Sequence, residues 1–104
     1  MSRRKLNKGD ALMFEVRDRM EAEGYITDFA KKVRFMRQDF FGCWDIIALD
    51  PKHDMIRFIQ VSANPWTKRE LAYRAKFDSF PHFPFATREY WTKTKEGKWD
   101  IRFI

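Results

Sequence analysis

The chain has 104 residues, of which 44% are hydrophobic and 17% aromatic, so it has the size of one domain and is too apolar for a disordered protein. No apolar run approaches the roughly 18 residues of a membrane span, and no signal-peptide segment follows the basic N-terminus. The single cysteine, Cys43, excludes an internal disulfide and a cysteine-built zinc site. These features predict a cytoplasmic protein in a reducing compartment.

Basic residues outnumber acidic residues by 21 to 15, which gives a formal net charge of +6. This balance favours a polyanionic partner, of which nucleic acid is the commonest, although charge that serves only solubility would give the same count. We therefore predict that the chain binds DNA through phosphate contacts. The candidate contact residues are Arg3, Arg4, Lys8, Arg34, Arg37, Lys68 and Arg69.

In chain order, residues 1–9 are expected to form a basic arm and residues 10–104 a single domain. A first helix is predicted to begin near Asp10, whose carboxylate can cap the free N–H groups of the first turn. Gly24 is expected to end this helix, because glycine tolerates the left-handed conformation found there. A first strand follows at about residues 30–37.

Two apolar segments, residues 43–50 and 55–63, are predicted to form a hairpin around a four-residue turn. Thr67 is predicted to cap a second helix at about residues 68–79, with Leu71, Ala75 and either Phe77 or Asp78 near one face. Two further strands are expected at about residues 85–93 and 98–104. The order α-β-β-β-α-β-β predicts an α/β protein with helices packed on a mixed sheet.

The central hairpin carries an acidic residue, Asp45, inside an apolar strand, where an unpaired charge would be very costly. We predict that Asp50 pairs with Met55 across the turn. In that register Asp45 lies opposite Gln60, and side-chain alternation places Ser62 on the same face. A carboxylate, a carboxamide and a hydroxyl would then meet at one end of the hairpin, as oxygen ligands for Mg²⁺. The alternative is that Asp45 caps a neighbouring group or pairs with a nearby Arg or Lys, and that Gln60 donates a hydrogen bond to it.

Several segments of the chain resemble the PD-(D/E)xK nuclease superfamily, in particular its small Holliday-junction-resolvase-like and phage-type members with a Q-x-S/T motif in the third strand. The resemblance covers about residues 8–80. The segments that carry it are Lys8-Gly9, Gly24-Tyr25, Phe40-Phe41-Gly42, Trp44-Asp45-Ile46-Ile47-Ala48 and Gln60-Val61-Ser62.

The resemblance implies a restriction-endonuclease-like core of αβββαβ type, extended here by a C-terminal strand. It also implies an endonuclease, phage-encoded or from a repair pathway, that hydrolyses phosphodiesters with a metal-activated water. The cofactor would be Mg²⁺ or Mn²⁺, the substrate DNA, including branched DNA, and the assembly a homodimer. A catalytically degenerate protein that keeps the fold and binds nucleic acid or a partner protein is the alternative.

Two positions of the family's motif are matched in the hairpin. Asp45 matches the metal-binding aspartate, and Gln60 matches the second metal-ligand position, where some members carry glutamine. Ser62 falls where the family has a lysine that stabilises developing charge or orients the attacking water, and serine supplies no positive charge. These three residues are the first catalytic candidates.

Two further candidates would replace what the motif lacks. Lys68, or its neighbour Arg69, could supply the missing cation from the start of the second helix. The glutamate that the family carries on its first helix corresponds to Met13, and Glu15 is the nearest carboxylate. Glu15 lies two residues along the helix and would reach the site only if the helix were rotated.

Overall fold

The computed structural model describes residues 8–30, 32–33, 36–37 and 39–104, with the backbone alone for Lys8 and for the two short pairs. These residues form one α/β arrangement with a five-stranded mixed sheet and two helices, as the sequence predicted. Neither helix within these ranges has both the length and the apolar composition that crossing a membrane requires. The elements are α1 (Lys8–Ala22), β1 (Ile26–Phe29), β2 (Lys32–Val33), β3 (Met36–Arg37), β4 (Ile46–Asp50), β5 (Met55–Ser62), α2 (Trp66–Ser79), β6 (Ala86–Lys93) and β7 (Trp99–Phe103).

The strand order of the sheet is β1-β4-β5-β6-β7, and β2 and β3 form a separate two-stranded sheet. Strands β5 and β6 are parallel, and the other neighbours in the large sheet are antiparallel. Parallel neighbours need a crossover connection, which α2 provides between β5 and β6. The carboxyl ends of β5 and β6 and the beginning of α2 therefore lie together at one edge of the sheet.

The first strand lies earlier in the chain than predicted. Gly24, with a φ of 94°, adopts the left-handed conformation after α1, and β1 begins two residues later and pairs with β4. In the predicted span, residues 30–37, the described part contains only β2 and β3, which pair with each other. The prediction was wrong because a four-residue strand carries little alternation of its own and is defined by its distant partner β4.

Both predicted helix caps are wrong. Helix α1 begins at Lys8, so Asp10 lies inside its first turn, where a carboxylate still favours the positive end of the helix dipole. Helix α2 begins at Trp66, and Thr67 is already helical. Its N-cap residue is Pro65, whose ring holds φ at −63° and so fixes the extended backbone that precedes the helix.

Each face of the sheet is covered by one helix and has its own core. The α1 face contains Leu12, Met13, Val16, Met20, Ile46, Ala48, Ile59, Val61 and Trp91. The α2 face contains Cys43, Trp44, Phe58, Trp66, Phe77 and Tyr90. Alternation along β5 explains the division, because Ile59 and Val61 point to one face and Phe58 points to the other.

Helix α2 is held mainly by two aromatic residues near its ends. Phe77 stacks on Trp44 with ring centroids 4.7 Å apart, and Trp66 stacks on Phe77 at 5.8 Å. Aromatic pairs of this kind stabilise by about 0.5–1.5 kcal/mol beyond the area that they bury. Leu71, predicted to lie near one face with Phe77 or Asp78, is 96% exposed whereas Phe77 is fully buried, so Leu71 and Phe77 do not share a face.

Candidate functional site at the end of the central hairpin

The hairpin has the predicted register. Asp50 pairs with Met55, and the ladder continues to Ile46 opposite Ile59. Asp45 lies just before β4, which starts three residues later than predicted. The Gln60 Nε2 atom donates a hydrogen bond to the Asp45 Oδ2 atom at 2.9 Å. The structure thus brings these two predicted residues together.

Asp45 is held by the strand beside it as well as by Gln60. Its Oδ2 atom also accepts a hydrogen bond from the backbone N–H of Val61 at 2.9 Å. Asp45 is 1% exposed and Gln60 5% exposed, so both lie out of reach of bulk solvent. The Gln60 Oε1 atom is buried and has no hydrogen-bond partner among the described residues. The amide therefore presents its nitrogen, not its oxygen, to the carboxylate.

Ser62 ties the end of β5 to the start of α2. Its Oγ atom accepts a hydrogen bond from the backbone N–H of Asn64 at 3.1 Å. The Tyr90 hydroxyl donates to the Asn64 carbonyl oxygen at 2.5 Å. Burial raises the pKa of Tyr90, and a hydrogen bond from Ser62 lowers it in part. Ser62 thus belongs to a local network that positions the loop before α2.

Helix α2 adds one residue that was not predicted from the sequence, Tyr73, which lies one helical turn after the predicted candidate Arg69. Burial raises the pKa of Tyr73, the charge of Arg69 lowers it, and the charge of Asp45 raises it. Arg69 also lowers the pKa of Tyr90. Tyr73 follows the candidate Arg69 by four residues in the helix directly after the hairpin, and this spacing is a signal in the sequence that could have identified it.

A cleft of about 550 Å³ opens at the same edge of the sheet, next to the end of β5. Lys68, proposed from the sequence as a replacement cation, lies in its wall. Glu15 lies at the same edge and forms an ion pair with Lys93 at 2.8 Å. The residues lining the cleft are Ala63, Pro65, Lys68, Thr92, Lys93, Thr94, Lys95 and Asp100.

The other predicted residues have different outcomes. Met13 is 2% exposed and packs in the core of the α1 face, opposite to Gln60. Arg69 lies on the exposed side of α2. The predicted phosphate contacts that lie outside the described residues or have no described side chain are Arg3, Arg4, Lys8, Arg34 and Arg37.

The predicted metal ligands do not fit a magnesium ion in the arrangement observed. Mg²⁺ requires oxygen ligands, but Gln60 directs its amide nitrogen toward the Asp45 carboxylate. Chelation by both residues would require the amide to turn so that its oxygen faced the same ion. In the described ranges, moreover, three or more Asp, Glu, His or Cys side chains do not gather at any one point. Asp45 and Gln60 therefore form a hydrogen-bonded pair.

Comparisons of the chain with protein-family models, with curated proteins and with solved structures found no match. The superfamily resemblance is therefore carried by sequence segments alone.

Proposed function

We propose that the chain is a nucleic-acid-binding protein with a restriction-endonuclease-like fold, and that it binds without cleaving. The observation that carries the proposal is a cluster of cations where β5 and β6 end and α2 begins. This cluster, the basic rim, consists of Lys68, Lys93 and Lys95, which line the cleft, and of Arg69, which follows Lys68 on α2. Ligands of open α/β sheets bind at the carboxyl ends of the strands, and cations gathered there release counterions from a phosphate backbone.

The order of the elements supports the fold part of the proposal. Strands β1, β4 and β5 are successive antiparallel neighbours in the large sheet, α2 follows, and β6 returns parallel to β5. The resemblance implies the same succession of a helix, a β-meander, a helix and a further strand. The hairpin that carries the motif residues lies at the centre of this succession.

Binding without hydrolysis is favoured by what the catalytic candidates do in the fold. The Asp45 Oδ2 atom accepts hydrogen bonds from Gln60 and from the backbone of Val61. Ser62 is engaged with Asn64, and Glu15 is paired with Lys93. Each of these contacts gives the residue a structural role.

A metal-dependent endonuclease, resolvase-like and using Mg²⁺ or Mn²⁺, is the second candidate. It is favoured by the hydrogen bond that joins Asp45 and Gln60 at the end of the hairpin. It is also favoured by the buried Gln60 Oε1 atom, which has no hydrogen-bond partner among the described residues. The negative charge of Asp45 also raises the pKa of Tyr73, a second polar residue near the end of the hairpin.

One experiment separates these candidates. The protein is incubated with linear and four-way-branched DNA in Mg²⁺ or Mn²⁺, and binding is followed by mobility shift and cleavage on denaturing gels. We expect binding that weakens steeply with salt and no cleavage. Replacing both Lys68 and Arg69 by Gln should reduce the slope of log affinity against log salt by about two.

The control is Lys52→Gln, because Lys52 lies in the exposed turn at the opposite end of β5 and should not affect binding. Cleavage by the native protein that is lost in Asp45→Asn would establish the second candidate instead. Failure to bind either DNA at low salt would reject both candidates. Sedimentation of the same samples tests the homodimer that the resemblance implies.

A further inference from the structure

The cleft beside the hairpin contains a buried hydroxyl group that the fold leaves unsatisfied. Thr92 lies opposite Ser62 in the parallel pairing of β5 and β6, lines the cleft and is 4% exposed. Its Oγ1 atom has no hydrogen-bond partner among the described residues. A buried hydroxyl is normally hydrogen-bonded, because leaving it unpaired is costly. Its position in the cleft wall points to a ligand as the partner.

The charges around the cleft divide into balanced and unbalanced groups. Lys93 is paired with Glu15 at 2.8 Å, and Asp100 is paired with Arg102 at 3.4 Å. Lys68 and Lys95 also line the cleft, and neither forms an ion pair with a residue in the described ranges. Two ammonium groups and one hydroxyl donor therefore remain available to an anion.

We infer that this cleft binds the terminal phosphate of a nucleic-acid strand, an inference that rests on the proposed function and deepens it. A phosphomonoester carries between one and a half and two negative charges at neutral pH, which matches the charges of Lys68 and Lys95. Lysine binds phosphate as a point charge, and the Thr92 hydroxyl can donate to a phosphate oxygen. A phosphodiester inside a strand carries one charge, so it would match only one of the two ammonium groups that face the cleft.

The test compares oligonucleotides of one sequence that end in a 5′-phosphate, a 3′-phosphate or hydroxyl groups alone, with affinity measured by fluorescence anisotropy. We expect one phosphorylated end to bind about tenfold more tightly than the hydroxyl ends, the gain of a charge-assisted hydrogen bond. Thr92→Val should remove this preference and Thr92→Ser should keep it. Lys68→Gln and Lys95→Gln should each reduce it, and Lys52→Gln should leave it unchanged.

The outcomes distinguish this inference from the proposed function. Equal affinity for phosphorylated and hydroxyl ends would overturn the inference while leaving nucleic-acid binding in place. Absence of oligonucleotide binding would reject the proposed function itself. Competition by a free mononucleotide as strong as that by the phosphorylated strand would overturn the assignment to nucleic acid. Thermal unfolding of each variant confirms that it folds. If Thr92→Val does not fold, the variants Lys68→Gln and Lys95→Gln still test the cleft, because both lysines are exposed.

Discussion

Two buried carboxylates, one on each face of the sheet, are balanced in different ways. Glu89, on the α1 face, is fully buried and accepts two hydrogen bonds from the Arg57 guanidinium, at 2.8 and 2.6 Å. Asp45, on the α2 face, accepts hydrogen bonds from two uncharged groups, the Gln60 amide and the Val61 backbone. A bidentate ion pair balances the charge of Glu89 inside the fold, whereas the hydrogen bonds from Gln60 and Val61 fix the position of the Asp45 carboxylate at the end of the hairpin. Glu89 therefore belongs to the scaffold, and Asp45 is the buried carboxylate of the candidate site.

The surroundings of Glu89 strengthen this distinction. Trp91 donates its Nε1–H to the carboxylate at 2.9 Å, and the Thr87 hydroxyl also donates to it. The hydrogen bonds to Glu89 raise the pKa of Arg57, although burial alone would lower it. Arg57 also donates to the Tyr25 hydroxyl at 3.2 Å and lies 5.3 Å from the centre of that ring. This network joins β5 and β6 to the segment that follows α1.

The largest predicted effect is the loss of the charge of Glu89. Glu89→Gln leaves the Arg57 guanidinium largely buried without its partner, and breaking a buried ion pair in this way costs about 3–5 kcal/mol. We expect that loss in the free energy of unfolding measured with urea. The matched control is the double variant Arg57→Met with Glu89→Leu, which removes both charges and should recover most of the stability. A loss smaller than that of Asp45→Ala would contradict the assignment of Glu89 to the scaffold.

The second effect concerns Asp45. Asp45→Ala leaves the buried N–H of Val61 without its acceptor, which should cost about 1–3 kcal/mol in the same urea measurement. The Gln60 amide keeps its weaker contact to the Val61 carbonyl oxygen at 3.3 Å, so only part of its bonding is lost. Asp45→Asn, which retains an acceptor oxygen, should lose less than Asp45→Ala. Equal losses would show that the charge itself, and not the hydrogen bonds, stabilises this position.

The third effect is a change in stability at alkaline pH, and it is smaller than the first two. Burial raises the pKa of Tyr90, so the folded protein keeps the phenolic proton at a pH where the unfolded chain releases it. The stability that this provides is complete below the unfolded pKa of about 10 and falls as the pH rises above it. Tyr90→Phe should show a shallower alkaline loss, and at neutral pH it should cost about 1 kcal/mol for the lost hydrogen bond to Asn64.

The control for Tyr90 is Tyr73→Phe. Burial raises the pKa of Tyr73 as well, so its replacement should also reduce the alkaline loss of stability, measured by urea unfolding across the alkaline range. Tyr73 lies on α2, and Tyr90 lies within β6, where its hydroxyl bonds the loop before α2. An equal loss for both variants at neutral pH would show that the bond to Asn64 contributes little.

The sequence was sufficient for the parts of the fold that are determined locally. The hairpin register follows from the pairing of Asp50 with Met55 across a short turn, so the meeting of Asp45 with Gln60 could be predicted. The Arg57–Glu89 pair could not, because it links residues 32 apart and depends on the parallel register of β5 and β6. Alternation alone does not show which residues of two distant strands become neighbours.

The cleft was missed for the same physical reason. Its wall combines the loop after β5, the start of α2 and the end of β6, which only the crossover brings together. Lys68 was proposed because it follows Ser62 closely in the chain, but Thr92 gives no signal before its strand is paired with β5. Leu71 shows the opposite error, because its spacing predicted a face shared with Phe77 or Asp78, whereas Phe77 is buried against Trp66 and Leu71 is exposed.

The smallest predicted effect concerns a third carboxylate, that of Asp50, the last residue of β4 before the hairpin turn. A hydrogen bond from the His53 imidazole, at 2.7 Å, is the main reason why the pKa of Asp50 lies below its usual value. Any resulting stability is present above the unfolded pKa of Asp and is lost as the pH falls through the folded value. His53→Ala should raise the pKa of Asp50 toward its ordinary value, as measured by NMR titration. Because His53 is exposed and solvent screens the pair, the free energy of unfolding should not change measurably. A loss comparable to that of Asp45→Ala would show that burial is not what distinguishes the carboxylates of this protein.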